Sequence, residues 1–105
     1  MKDNKEEKHF YIPNRLLEAM YSSKLSATQL SIIFSVILKT FGENKSHAKL
    51  SASQIASQCH LDRINVSKEL KKLIDYRVIS VVYTDANGIR ALRINESYSE
   101  WKKKA

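Results

Sequence analysis

The chain has 105 residues, 43% hydrophobic and 28% charged, which fits one globular domain with a modest core. Eighteen Lys and Arg against eleven Asp and Glu leave a net charge of +7, a surplus that favours polyanionic partners such as nucleic acid. No stretch approaches the roughly 20 apolar residues that cross a bilayer, no apolar signal core opens the chain, and the single cysteine, Cys59, excludes an intramolecular disulfide. The chain therefore reads as cytoplasmic, with no membrane partner.

Residues 1–9 are polar and mixed in charge and are expected to form a disordered tail. Phe10, Tyr11 and Ile12 follow as a short apolar stretch. Pro13 biases Ile12 towards extended backbone and suits the start of a helix. Leu16, Leu17 and Met20 recur at helical spacing, which predicts a short helix over 14–22. Ser26 with Gln29 three residues on is a capping-box pattern. Leu30, Ile33, Phe34, Ile37, Leu38 and Phe41 then repeat at intervals of three and four. They predict a long amphipathic helix over 27–41, stopped by Gly42 and central to the core. Residues 43–49 read as a polar connection.

Ser51 with Gln54 is a second capping box, opening a short helix that turns Ile55 and Ala56 inward and ends near Cys59 or His60. Leu61 and Asp62 make a tight connection, and Asp62 is a good N-cap for the next helix. That helix, over 63–75, carries Val66, Leu70, Leu73 and Ile74 on one face. Its other face holds Arg63, Asn65, Ser67, Lys68, Lys71 and Lys72. Past Arg77, Val78, Ile79, Val81, Val82 and Tyr83 suit a strand. Asp85-Ala86-Asn87-Gly88 is a turn, with Asn-Gly a strong hairpin signal, and Ile89, Ala91, Leu92 and Ile94 return. Tyr98 and Trp101 are expected to pack back, closing a domain over 10–101 ahead of a basic tail at 102–105. With two Gly and one Pro, no linker divides the chain.

This order predicts a mainly α fold with a C-terminal β-hairpin, a winged helix-turn-helix. Such proteins place the second helix of the motif in the major groove of DNA. Arg donates two hydrogen bonds to guanine, and Asn pairs bidentately with adenine. Arg63, Asn65, Ser67 and Lys68 are the candidate base-reading residues. Lys71, Lys72, Ser51 and Ser53, with Asn87, Gly88 and Arg90 of the wing, are candidates for the phosphate backbone. Asp85 at the wing tip is unfavourable there. Ile64 either packs beneath its helix or contacts a thymine methyl. Double-stranded DNA is the expected partner, bound by a homodimer or by copies side by side. Cys59, His60 and His47 lack metal-ligand spacing, and Cys59 reads as a small core residue. No nucleophile–base pair or Gly-rich phosphate loop is present. No enzyme activity, cofactor, metal or small-molecule ligand is expected.

The ordered set of motifs resembles the N-terminal domain of the phage replication protein O family, the lambda-type origin-binding initiators. The resemblance runs from Phe10 to Trp101. It rests on the segment from Phe10-Tyr11-Ile12-Pro13-Asn14 to Ala19, on Leu25-Ser26, and on Lys39-Thr40-Phe41-Gly42. Lys45, Leu50-Ser51, Gln54-Ile55-Ala56, the span Leu61 to Leu73, and Ile94-Asn95 with Tyr98 and Trp101 complete it. It implies binding to repeated sites at a phage or plasmid replication origin, where a further C-terminal region of the family recruits the host helicase machinery. The sequence ends just after the closing motif. Tyr76-Arg77 stands where many winged helices carry Gly. A small winged-helix transcriptional regulator, or a winged helix used for protein contacts, would share the same domain.

Overall fold

In the computed structural model, which describes residues 8–102, every helix begins on a group that accepts its free backbone N–H groups. The Pro13 carbonyl accepts from Leu16 and Leu17 at 3.0 and 3.3 Å at the start of α1 (Asn14–Ser22). Ser26 and Gln29 close the expected reciprocal box on α2 (Ala27–Thr40), with bonds of 3.1 and 3.0 Å. Ser51 and Gln54 do the same for α3 (Ala52–Cys59), at 3.1 and 2.8 Å. Asp62 Oδ2 accepts the Asn65 N–H at 2.9 Å and caps α4 (Arg63–Asp75). Each of the three side-chain caps, Ser26, Ser51 and Asp62, contributes about 1 kcal/mol.

Three strands follow the order β1-β3-β2, antiparallel throughout. β2 (Ile79–Thr84) and β3 (Arg90–Ile94) are the expected hairpin. β1 (Ala48–Lys49) was not expected, because it lies in the polar stretch read as a connection. Its two residues pair with Leu92 and Ala91, so the hairpin becomes a small sheet. A two-residue strand has no periodicity of its own; only the open edge of β3 creates it.

The core gathers residues from every layer: Leu16 and Met20 of α1, Ile55 of α3, Val66, Leu70 and Leu73 of α4, and Ile79 and Leu92 of the sheet. α2 runs through its middle but on a rotated face. Ile32, Ile33, Val36 and Ile37 are buried, whereas Phe34 and Leu38, expected inside, are exposed. The centre of α2 is apolar nearly all round, so spacing alone does not choose a side. Polar partners do: the buried Gln29 donates to Glu69 of α4 at 3.0 Å, and Ser35 donates to Gln58 of α3.

Gly42 is not the stop. α2 ends at Thr40, passes through a 3₁₀ turn, and reverses at Asn44, whose φ of 55° is left-handed. A Cβ on Gly42 would lie 3.0 Å from Leu38 Cδ1 and 3.3 Å from the Phe10 ring. Glycine there gives room for Phe10 to lie against the end of α2.

The turn from α4 into β2 is held by the C-terminal segment. Arg77 takes φ of 64°, the conformation that glycine would adopt without strain. Asn95 Nδ2 donates to the Arg77 carbonyl at 2.8 Å, and Trp101 Nε1 donates to the Asn95 carbonyl at 2.8 Å. The Lys102 N–H donates to the Tyr76 carbonyl at 2.7 Å. Trp101 is buried and Tyr98 half-buried, as expected of a segment that packs back, and the Arg15 guanidinium sits 5.6 Å over the Tyr98 ring. Residues 1–7 of the expected N-terminal tail, and 103–105 of the basic tail, lie outside the described residues.

Two substitutions test this clasp by urea denaturation. Trp101→Ala is expected to cost about 3 kcal/mol, because it removes a buried aromatic and orphans a carbonyl. Arg77→Gly is expected to raise stability by about 0.5–1 kcal/mol, by relieving left-handed strain at an exposed position.

Candidate nucleic-acid interface

α3 and α4 are joined by His60, Leu61 and Asp62 alone. His60 adopts φ of 56° and ends α3, and the Leu61 N–H returns to the Ala56 carbonyl at 2.9 Å. Leu61 packs against the core. α4 therefore leaves the turn with its angle to α3 fixed by packing on both sides. Val66, Leu70 and Leu73 are sealed on its inner face.

Each residue advances about 100° around a helix, so the outward face of α4 divides into three rows. Ile64, Lys68 and Lys71 form the central row, all exposed. Arg63 and Ser67, also exposed, lie on one flank. Asn65 and Lys72 lie on the other, with Asn65 half-buried. The candidate base readers therefore do not share one line: Arg63 and Asn65 are separated by about 200° across the outer face, with Ile64 between them. Ile64, the ambiguous residue, does not pack beneath the helix; it is 70% exposed.

Charge is unevenly committed on this face. Lys71 pairs with Asp75 at 3.6 Å and Lys72 with Glu69 at 3.3 Å. Among the described residues, Arg63 and Lys68 form no ion pair, so their donors are open to solvent. Exposed pairs such as Lys71–Asp75 are worth little, and an anion can displace them.

The phosphate candidates divide in the same way. The backbone of Arg90 lies beside the residue that precedes Ser51: the Leu50 N–H donates to the Arg90 carbonyl at 3.1 Å, directly before the cap of α3. Ser53 is exposed on the first turn of α3, and Asn87 and Gly88 are exposed at the wing tip. Gly88 has φ of 83°, which the turn requires. Sequence reasoning passed over Lys49, the residue that links these parts. From β1 it reaches across to Asp85 at 3.2 Å, joining the start of α3 to the wing. Beside it, His47 and Tyr83 meet edge to face, with ring centroids 5.6 Å apart. Nothing in their spacing links these residues, because their adjacency depends on β1.

Asp85 is not a bare charge at the wing tip. Its Oδ1 accepts the N–H groups of Asn87 and Ile89, both at 2.9 Å, and its Oδ2 meets Lys49. The carboxylate builds the turn from inside. The Ile89 N–H first, then the Lys49 and Asn87 donors, hold its pKa below the usual carboxylate value. Cys59 is half-buried with Sγ 3.6 Å from the Ser31 carbonyl, and burial pushes its thiol pKa up. No group of three potential metal ligands occurs among the described residues, and no described helix is long and apolar enough to cross a membrane.

A family model for bacteriophage replication protein O matches residues 1–101. The chain belongs to the bacteriophage replication protein O family. Among solved structures, its fold is similar to that of MepR, a transcription regulator of the Staphylococcus aureus multidrug efflux pump MepA. The two share a TM-score of 0.55 and 17% identity, over 80% of this chain and 57% of that one. The chain thus spans little more than half the length of MepR, and the likeness concerns the fold, a winged helix-turn-helix. A search of curated proteins found no match. Family and fold together support a DNA-binding role. Asn95 and Trp101 form the clasp behind α4, on the end of that helix remote from Arg63.

The Asp85 arrangement carries a pH dependence with a defined sign. A carboxylate whose folded pKa is depressed contributes order above its unfolded pKa, about 3.9, and loses it as pH falls through the lower folded value. Amide-exchange protection at Ile89 and Asn87 is therefore expected to hold as pH drops to about 4 and to fade below it. Asp85→Ala should show the weak protection at every pH.

Proposed function

We propose that this chain is the sequence-specific double-stranded DNA-binding domain of a phage- or plasmid-type replication initiator, with α4 in the major groove. The observation that carries the reading is the outer face of α4. It is held by a capped partner helix, and among the described residues it keeps Arg63 and Lys68 clear of ion pairs. Arg63 and Ser67 read bases from one flank, Lys68 from the centre and Asn65 from the other. The spread suits a groove about 12 Å wide, whose two strands face opposite sides of an inserted helix.

Lys71 and Lys72 then exchange their acidic neighbours for phosphates. Ser51 and Ser53, at the start of α3, and Arg90 and Asn87, on the wing, take the backbone on either side. Lys49 joins them by holding the wing against α3. Membership of the family supports the setting: repeated sites at a replication origin, occupied by copies side by side or by a dimer on half-sites one helical turn apart.

Selection of bound sequences from a random duplex library, followed by titration of the selected site, tests the assignment. Arg63→Ala should cost about 1–3 kcal/mol and relax preference at one base pair. Lys71→Ala should weaken all sequences alike and reduce the salt slope by about one. If Arg63→Ala and Asn65→Ala both bind the selected site as the unaltered protein does, α4 is not the reading helix. No retention of duplex at micromolar protein and low salt would sink the DNA assignment altogether.

A further inference from the structure

Ile64 is the one side chain on the outer face of α4 whose chemistry the polar reading leaves unused. It is 70% exposed and stands in the first turn, at the head of the central row that continues through Lys68 and Lys71. Arg63 lies on one side of it and Asn65 on the other. The core of α4 is already closed by Val66, Leu70 and Leu73, each fully buried, and Ile64, 70% exposed, stands outside that seam. It is also a costly choice for an exposed helical position, since a β-branched residue loses side-chain freedom there.

That same stiffness suits a contact. The χ1 of a helical isoleucine is nearly fixed, so its methyl groups project in one direction from a helix that is itself held by the core. In the major groove, the apolar feature a base pair presents is the C5-methyl group of thymine. Guanine and adenine present hydrogen-bonding groups in that groove, which an aliphatic side chain leaves unpaired, and cytosine sets a bare C5–H beside its N4 amino donor, so none of the three supplies a methyl group.

We propose that Ile64 is a specificity-determining residue that selects a thymine by contact with its 5-methyl group, between the bases addressed by Arg63 and Asn65. The assignment rests on the reading of α4 as the helix in the major groove. It adds a base that no hydrogen bond from this face specifies.

Replacing thymine with uracil removes that methyl group and alters nothing else on the base edge. Each thymine of a duplex selected from a random library is replaced in turn, and binding is measured for the unaltered protein, Ile64→Ala and Ile64→Val. One position should weaken binding of the unaltered protein about three- to fivefold, the worth of one apolar group taken out of water. Ile64→Ala should bind the thymine and uracil duplexes equally, and Ile64→Val should keep most of the difference. Folding should change little, because the side chain is 70% exposed; matching urea midpoints verify this. A selected site at which no uracil replacement weakens binding overturns the assignment while leaving the DNA reading intact. So does Ile64→Ala that still prefers thymine. Failure of the unaltered protein to select any site removes both.

Discussion

Val66, Leu70 and Leu73 lie at i, i+4 and i+7 along α4, and solvent reaches none of them. Everything on the outer face of that helix takes its position from this seam. A helix held by three fully buried side chains does not rotate about its axis, so the rows of Arg63, Ile64 and Asn65 are presented at fixed angles. The seam closes against α2 and α3, whose own positions depend on polar contacts as much as apolar ones. Gln29 reaches Glu69 from the capping box of α2, so one side chain both starts α2 and ties it to α4. A buried amide must find partners or incur the cost of lost hydration, and that need leaves α2 one azimuth relative to α4.

The wing obeys a similar economy of groups. A short hairpin projecting from a three-stranded sheet has few apolar contacts to stiffen it. Asp85 replaces them with three donors, and Lys49 ties the result to the strand that leads into α3. The acid that would repel a polyanion is thereby turned inward and matched, and the tip presents Asn87 and Gly88.

Much of this was legible in the residues. Ser26, Ser51 and Asp62 marked three helix starts, because capping chemistry is local. Asn87-Gly88 marked the turn for the same reason. The exposed rows of α4 followed from helical periodicity. What escaped notice is non-local. β1 exists only because Ala91 and Leu92 offer an open edge. The burial of Ile32 and Val36, in place of Phe34 and Leu38, is decided by Gln58 and Glu69 on other helices. The inward use of Asp85 requires Lys49, 36 residues away in the chain. Arg77 stands where glycine is usual, but its left-handed backbone is tolerated through Asn95 and Trp101, which periodicity does not connect to it.

The clasp formed by those two residues also has a mechanical meaning. Lys102 is bonded through its backbone to Tyr76, and Trp101 is anchored by Asn95, so the chain departs beside the C-terminal end of α4. The helix is thirteen residues long, at about 1.5 Å each, and that point lies at the end opposite its first turn. Tension applied at Lys102 must first shear a buried indole out of its seat. Until it does, the load falls on the back of the domain, and the tip of α4 that faces the groove stays undisturbed.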